Sequence, residues 1–245
     1  MPIRVGLAGW SNPPAKRFER DPGQTHLSYY AAHFSCVEIN SSFYRAHQSA
    51  TYARWRDETP APFRFSVKMP RSITHESHLK RCASEVARFY EDIAALQPKL
   101  AAVLVQLPPS LDFSGRTVRT FFSSVPRLRG TKLVCEPRHS SWCTSAVDKA
   151  LRDAGVSRVA ADPARCLGAE VPGGARRFAY FRWHGSPHMY YSQYSEARLA
   201  AFAATVRTTK ASEIWCVFDN TARHAAWDDA LKFAAALRSG SHKSE

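Results

Sequence analysis

FAYFRWH, residues 178–184, is an apolar, aromatic-rich run of strand length that ends in Arg182 and His184, residues a buried strand does not tolerate in mid-run. Seven further runs share this form, at residues 4–10, 36–40, 63–68, 102–106, 132–138, 157–162 and 213–220. Their tails carry Glu38, Asn40, Lys68, Gln106, Glu136, Arg138, Asp162, Asp219 and Asn220. Such strands alternate with helical stretches, which predicts βα units and a parallel sheet; eight of them in 245 residues predict an α/β protein, a single (β/α)8 TIM barrel. The polar strand ends then converge on the C-terminal mouth, where barrels place their chemistry.

Length and hydrophobic content (44%) suit one core, so one domain is expected over residues 1–238, followed by a polar tail at 239–245. A formal net charge of +13 favours anionic partners, but the arginines are dispersed and form no basic arm of the kind that wraps nucleic acid. The cysteines at 36, 82, 135, 143, 166 and 216 show neither CxxC nor metal-finger spacing, and are expected to be reduced and structural. The N-terminus runs directly into the first strand, and no apolar stretch approaches the ~18 residues of a membrane span. A cytoplasmic protein with no membrane partner is the expectation.

Helical spacing links Leu79, Cys82, Val86, Phe89, Ile93 and Leu96 in one stripe, Leu199, Phe202 and Val206 in another, and Trp227, Leu231 and Ala234 in a third. Shorter helices are predicted at 26–33, 51–58, 117–123 and 144–153, the last opening with Ser145 and Asp148 at capping-box spacing. The Gly- and Pro-rich segment 163–174 predicts a short or broken helix. Pro13-Pro14, Pro70, Pro108-Pro109, Pro137 and Pro163 punctuate the βα loops, and Gly6 and Gly9 read as close-packing positions.

Four constellations could carry chemistry. EINSSFYR (38–45) puts Glu38, Asn40 and Tyr44 at one edge of the mouth. VKMPRSITHE (67–76) adds Lys68 and His75, suited to holding phosphate or carboxylate, with the alternative that Lys68 neutralises Glu38 or Glu136. In CEPRHSSW (135–142), Glu136 and Arg138 share one face of an extended strand. Asp162, FRWHG (181–185) and DNTARH (219–224) complete the ring, with Tyr190, Tyr191 and Tyr194 as an aromatic wall. Glu38, Glu136, Asp162, His184 and Asp219 also make a weaker candidate set for a divalent metal, opposed by the neighbouring cations. Neither GxGxxG, GxxxxGK[ST] nor GxSxG occurs, so no cofactor is expected.

VGLAGWSNP, VEINSSFYR, FRFSVKMPRSITH, VQLPPS, CEPRHSSW, YFRWHG and VFDNTARHAAWDDAL together resemble, in order, the domain-of-unknown-function 72 family, also called YecE-like. The resemblance implies a TIM barrel related to the xylose-isomerase-like barrels, and no settled activity. Family positions matching Glu38, Asn40, Lys68, His75, Gln106, Glu136, Arg138, Asp162, Arg182, His184 and Asn220 mark the implied site. Leu7-Ala8 stand where the family tends to have Thr-Ser, and Asp219 where it tends to have Asn.

The expected function is an enzyme, its hydrolase, lyase or isomerase class left open, acting on a small polar or anionic substrate by acid–base or hydrolytic chemistry. Glu136, Asp162, His75 and His184 are the catalytic candidates. Glu38, Asn40, Tyr44, Lys68, Gln106, Arg138, Arg182, Asp219 and Asn220 are the substrate-binding candidates, with Lys68, Arg138 and Arg182 as an anion clamp. A nucleic-acid-binding or nucleic-acid-processing protein using the basic surface, and a non-catalytic ligand-binding barrel, are the alternatives. The oligomeric state is left open.

Overall fold

A computed structural model describes residues 1–10 and 22–239; Pro13-Pro14 and the tail beyond Ser239 lie outside the described residues. Among the described residues ten strands are present: β1 (Ile3–Ala8), β2 (Cys36–Ile39), β3 (Arg64–Lys68), β4 (Leu100–Gln106), β5 (Lys132–Glu136), β6 (Val156–Arg158), β7 (Ala160–Asp162), β8 (Gly173–Gly174), β9 (Phe178–Trp183) and β10 (Glu213–Phe218). The helices are α1 (His26–His33), α2 (Ser49–Asp57), α3 (Ala83–Ile93), α4 (Gly115–Ser124), α5 (Ser145–Asp153), α6 (Glu196–Thr208) and α7 (Ala225–Ser239).

One sheet holds all ten strands in the order β7-β9-β10-β1-β2-β3-β4-β5-β6-β8, parallel except where β8 pairs antiparallel with β6. Only Val159 separates β6 from β7, and these two pair with β5 and β9 respectively. The chain thus bridges the two ends of the series, and the result is a mixed α/β fold with a nearly closed, barrel-like sheet. Parallel strands buried on both faces explain why the runs are continuously apolar rather than alternating.

Two apolar layers follow. Inside the sheet, Cys36, Ala102, Leu104, Val134, Tyr180, Trp215 and Val217 pack together, with Tyr180 stacked on Trp215 at 5.7 Å. Outside it, a larger core fills the space beneath the helices, as where Trp183 stacks on Phe202 at 4.4 Å.

Several local expectations need correction. Helix α3 begins at Ala83; Leu79 and Cys82 are buried but precede it, Leu79 with a left-handed φ of 63°. The inner face of α7 is Ala226, Trp227, Ala230 and Phe233, with Leu231 turned to solvent. Thr144, not Ser145, caps α5 by accepting from Val147 N; Asp148 instead accepts from Arg158 Nε at 2.7 Å. Residues 163–174 hold turns and the two-residue β8 rather than a helix. Cys143 and Cys166 are joined as a disulfide, with Cα atoms 6.3 Å apart, so reduced thiols are found only at Cys36, Cys82, Cys135 and Cys216 among the described residues.

Gly6 is a close-packing position as expected. The Tyr30 hydroxyl bridges β1 and β2 by accepting from Leu7 N and donating to the Cys36 carbonyl, each at 2.8 Å. A Cβ on Gly6 would lie 2.1 Å from that carbonyl oxygen and 2.9 Å from the hydroxyl. Gly9 differs: nothing lies within 4 Å of where its Cβ would stand, and its φ of 105° is what selects glycine. Gly6→Ala is expected to lower unfolding free energy by at least about 2 kcal/mol, as overpacking against backbone does. A reduced urea midpoint at unchanged slope would show it; wild-type stability would refute close approach as the reason for glycine.

Candidate functional site

Above the apolar interior, at the carboxyl ends of the strands, lies a layer of charge built around Arg182. Its period-2 position with Tyr180 on β9 and with His184 just past the strand turns all three inward. A guanidinium has five N–H donors in a fixed plane, and here each has an acceptor. Nε and Nη2 donate to the two Glu38 oxygens at 3.0 and 2.7 Å, and Nη2 also to Asp219 at 2.8 Å. Nη1 donates to Glu136 Oε2 at 2.5 Å and to Gln106 at 3.3 Å. One side chain therefore joins β2, β4, β5 and the residue after β10. Below it, Tyr180 donates to Glu38 at 2.9 Å and shares a hydrogen bond of 2.7 Å with Ser66.

His184 stands beside this centre, fully buried. Nδ1 is 3.0 Å from Asp219 Oδ2, and Nε2 is 2.9 Å from Glu136 Oε1 and 3.0 Å from Arg138 Nη2. Arg138 Nη2 also reaches Glu136 Oε1 at 2.7 Å. Two proton patterns satisfy these distances. An imidazolium donates to both carboxylates; a neutral ring donates from Nδ1 to Asp219 and accepts at Nε2 from Arg138.

Burial alone would raise the Glu136 carboxyl, but Arg138, Arg182 and His184 outweigh it and hold it well below the usual range. Asp219 is likewise lowered against its burial by Arg182 and His184. Both are ionised at neutral pH, so Glu136 accepts hydrogen bonds and holds no proton to donate.

Lys68 differs from Arg182. It is 5% exposed, and among the described residues no side chain or carbonyl accepts a hydrogen bond from its Nζ. The ammonium lies over the Phe43 ring at 4.0 Å. Ser42, donating to the Ile39 and Lys68 carbonyls at 2.9 and 2.6 Å, ties the β2 loop to β3 and so sets Phe43 in place. Burial, then repulsion from Arg182, lowers Lys68 to about 8. His75 packs edge-on to the same ring at 4.9 Å, and burial followed by the Lys68 and Arg71 charges lowers it to about 4. Among the described residues Arg138 also retains free donors: its Nε is buried without a partner, and its Nη1 meets only the Met189 sulfur at 3.6 Å.

The other candidates divide. Asn40 stands just past β2, its Oδ1 buried and unpartnered. Tyr44, 71% exposed, lines a neighbouring cleft of about 430 Å³ with Phe43, Arg45, His47, Arg71 and Arg88, beside the charged layer rather than over it. Asp162 is not in the cluster: it faces α6, accepting from Tyr194 Oη at 2.8 Å and pairing with Arg198. Asn220 also faces away, donating to Ser192 O at 2.9 Å and Asp229 at 2.7 Å. Of the three tyrosines, Tyr190 packs edge-on to His184 at 5.6 Å, Tyr191 is exposed, and Tyr194 is a buried staple.

Sequence reading missed Tyr180 and Ser66, although their period-2 spacing from Arg182 and Lys68 marks them. Arg198 and Asp229 carried no such signal. Among the described residues no group of three or more His, Cys, Asp or Glu is placed to hold a metal ion. Glu38, Glu136 and Asp219 converge on a guanidinium instead, and Asp162 stands apart. No described helix is long and apolar enough to cross a membrane.

Sheet and site together define a barrel-like α/β protein with a buried ionic layer at its strand ends. The family model described as "Protein of unknown function DUF72" matches residues 4–245, and the chain belongs to that family. It is 31% identical over 166 residues to UPF0759 protein YecE of Escherichia coli (strain K12), covering 65% of this chain and 59% of that protein's length. It is 30% identical over 146 residues to UPF0759 protein YunF of Bacillus subtilis (strain 168), covering 57% and 52%. The crystal structure of a DUF72 family protein from Thermotoga maritima MSB8 superposes with a TM-score of 0.82 at 26% identity, over 97% of this chain and all of that one. One from Enterococcus faecalis V583 gives 0.81 at 21%, over 96% and 95%, a likeness of fold.

Arg182→Met would leave Glu38, Glu136 and Asp219 facing one another, and is expected to cost about 3–5 kcal/mol at pH 7. Because Glu136 and Asp219 titrate low when folded, the stability they contribute is intact above pH 4.5 and is lost as pH falls through their depressed values. The variant should lose that contribution at higher pH than the wild type. Denaturant titrations across pH test both statements; a variant within about 1 kcal/mol of wild type throughout would contradict them.

Proposed function

We propose that the chain is a single-domain (β/α)8 TIM barrel over residues 1–238, with β6 and β7 as two halves of the sixth stave, and that it is an enzyme using acid–base chemistry on a small anionic substrate at the C-terminal mouth. The observation that carries this reading is the contrast among the cations. Arg182 has every donor occupied, so it is the keystone of the layer and not part of a clamp. Lys68, its ammonium over the Phe43 ring, and Arg138, whose buried Nε has no partner among the described residues, are the clamp. Keeping the Arg138 donor buried without an acceptor is unfavourable in a merely structural layer, and a bound carboxylate or phosphate would satisfy it while pairing with the Lys68 charge.

His184, between Asp219 and Glu136, is the proton carrier in this reading, because it alone in the layer has two proton patterns compatible with its neighbours. His75 is a neutral donor or acceptor at the rim, and Asn40 Oδ1 an acceptor for a substrate hydroxyl or amide. Asp162, bonded to Tyr194 and Arg198, belongs to the frame in this reading and leaves Glu136, His75 and His184 of the four catalytic candidates.

Calorimetric titration with inorganic phosphate is the test. Lys68→Met and Arg138→Met should each weaken binding by roughly ten- to hundredfold, the worth of a charge-assisted hydrogen bond. Phosphate affinity unchanged in both variants would sink the clamp. Tight, steeply salt-dependent binding of oligonucleotides that ignores both variants would transfer the function to the basic surface.

A further inference from the structure

We propose that Lys68 is a covalent nucleophile, its Nζ condensing with the carbonyl carbon of an anionic aldehyde, ketone or oxo acid to form a protonated imine while Arg138 holds the substrate's carboxylate or phosphate. The inference rests on the preceding reading of the mouth as an anionic-substrate site, and adds the reacting group of the substrate.

Three features of the surroundings lead to it. First, the carboxylates near Lys68 are engaged elsewhere: Glu38 on Arg182, Glu136 on Arg182 and Arg138, Asp219 on Arg182 and His184. An amine held in a carboxylate ion pair has its lone pair committed to a proton; this one is not so held. Second, the protein treats Lys99 differently. Its Nζ is given the Arg56 and Thr59 carbonyls at 2.6 and 2.5 Å and the Thr59 hydroxyl at 3.2 Å, the pattern of a structural ammonium. Lys68, more deeply buried, is given only the Phe43 face, which tolerates either ammonium or amine. Third, His75, against the same phenyl ring, is held neutral and so adds no second positive charge beside the amine. Burial and the Arg182 charge, which lower the Lys68 ammonium to about 8, act in the same direction.

The step balances without a further reagent. The Nζ lone pair adds to the carbonyl carbon, and the C=O π electrons move to oxygen, which takes a proton. The resulting carbinolamine expels that oxygen as water as the nitrogen lone pair forms the C=N bond. One ammonium and one carbonyl compound thus give one protonated imine and one water, with no change of oxidation state.

Borohydride reduction tests the proposal by fixing any imine as a stable secondary amine. The folded full-length chain is treated at pH 8 with glyoxylate, pyruvate or dihydroxyacetone phosphate, reduced, digested and read by mass spectrometry. The expected result is a gain equal to the mass of one probe less one oxygen on the Lys68 peptide. It should exceed the gain at exposed Lys149 at least tenfold, be suppressed by excess inorganic phosphate, and vanish in Lys68→Arg, which keeps the charge but has no condensing amine. Labelling at Lys68 no greater than at Lys149 with all three probes, in protein that still binds phosphate through Lys68 and Arg138, would overturn the imine and leave the clamp standing. Absence of both labelling and phosphate binding would overturn the clamp as well.

Discussion

The structure depends on one buried guanidinium. Bringing Glu38, Glu136 and Asp219 together inside a low-dielectric barrel is prohibitive unless a cation sits between them, and its attraction must be matched by hydrogen bonds in the right plane. Arg182 meets both conditions because its fork is planar and its five donors point outward to residues on four other parts of the sheet. Lysine, a point charge with three donors, could not replace it. The apolar interior below, with Tyr180 flat on Trp215, fixes the height at which this layer can form.

Charge balance then shapes what remains. Three carboxylates face Arg182, Arg138 and Lys68, so the layer is near neutrality before any ligand arrives. The balance is uneven in space: the negative charge gathers on Arg182, whereas Lys68 and one edge of Arg138 are left toward Phe43 and Met189. A layer that is neutral in sum yet locally cationic does not destabilise the barrel by self-repulsion.

Most of the layer was legible because period 2 is rigid. In FAYFRWH, Tyr180, Arg182 and His184 share a face, and Glu136 with Arg138 repeats the pattern. Parity also explains why two of the candidates stand outside the ionic layer. Asp219 and Asn220 are adjacent, so in extended chain only one can face the interior, and Asn220 is the one that turns out to Asp229. Around the sixth run, Val159 belongs to the interior cluster, which puts Asp162 three positions on at the opposite face, against Arg198. Partner choice was not legible at all: Arg182 and Glu38 are 144 residues apart in sequence, and no local pattern encodes that meeting. Nor could spacing pair Cys143 with Cys166, which approach only because the loops after β5 and β7 do.

Candidates that lie outside the ionic layer still support it through the loop after β9. Tyr194 accepts from Gly185 N at 2.8 Å, donates to Asp162, and gives its own N–H to Asp229 at 3.0 Å, while Asn220 grips Ser192 and the same Asp229. The loop so pinned carries Met189 to Arg138 and Tyr190 to His184. Asp162 and Asn220 thus resemble site residues in sequence because the frame needs buried polar groups as strictly as the ionic layer does. The two roles separate only when donors and acceptors are followed atom by atom. Asp162 and Asn220 have partners within the frame, Arg182 is saturated within the layer, and Lys68 and Arg138 alone among the buried cations at the mouth keep hydrogen-bonding capacity that the described chain does not use.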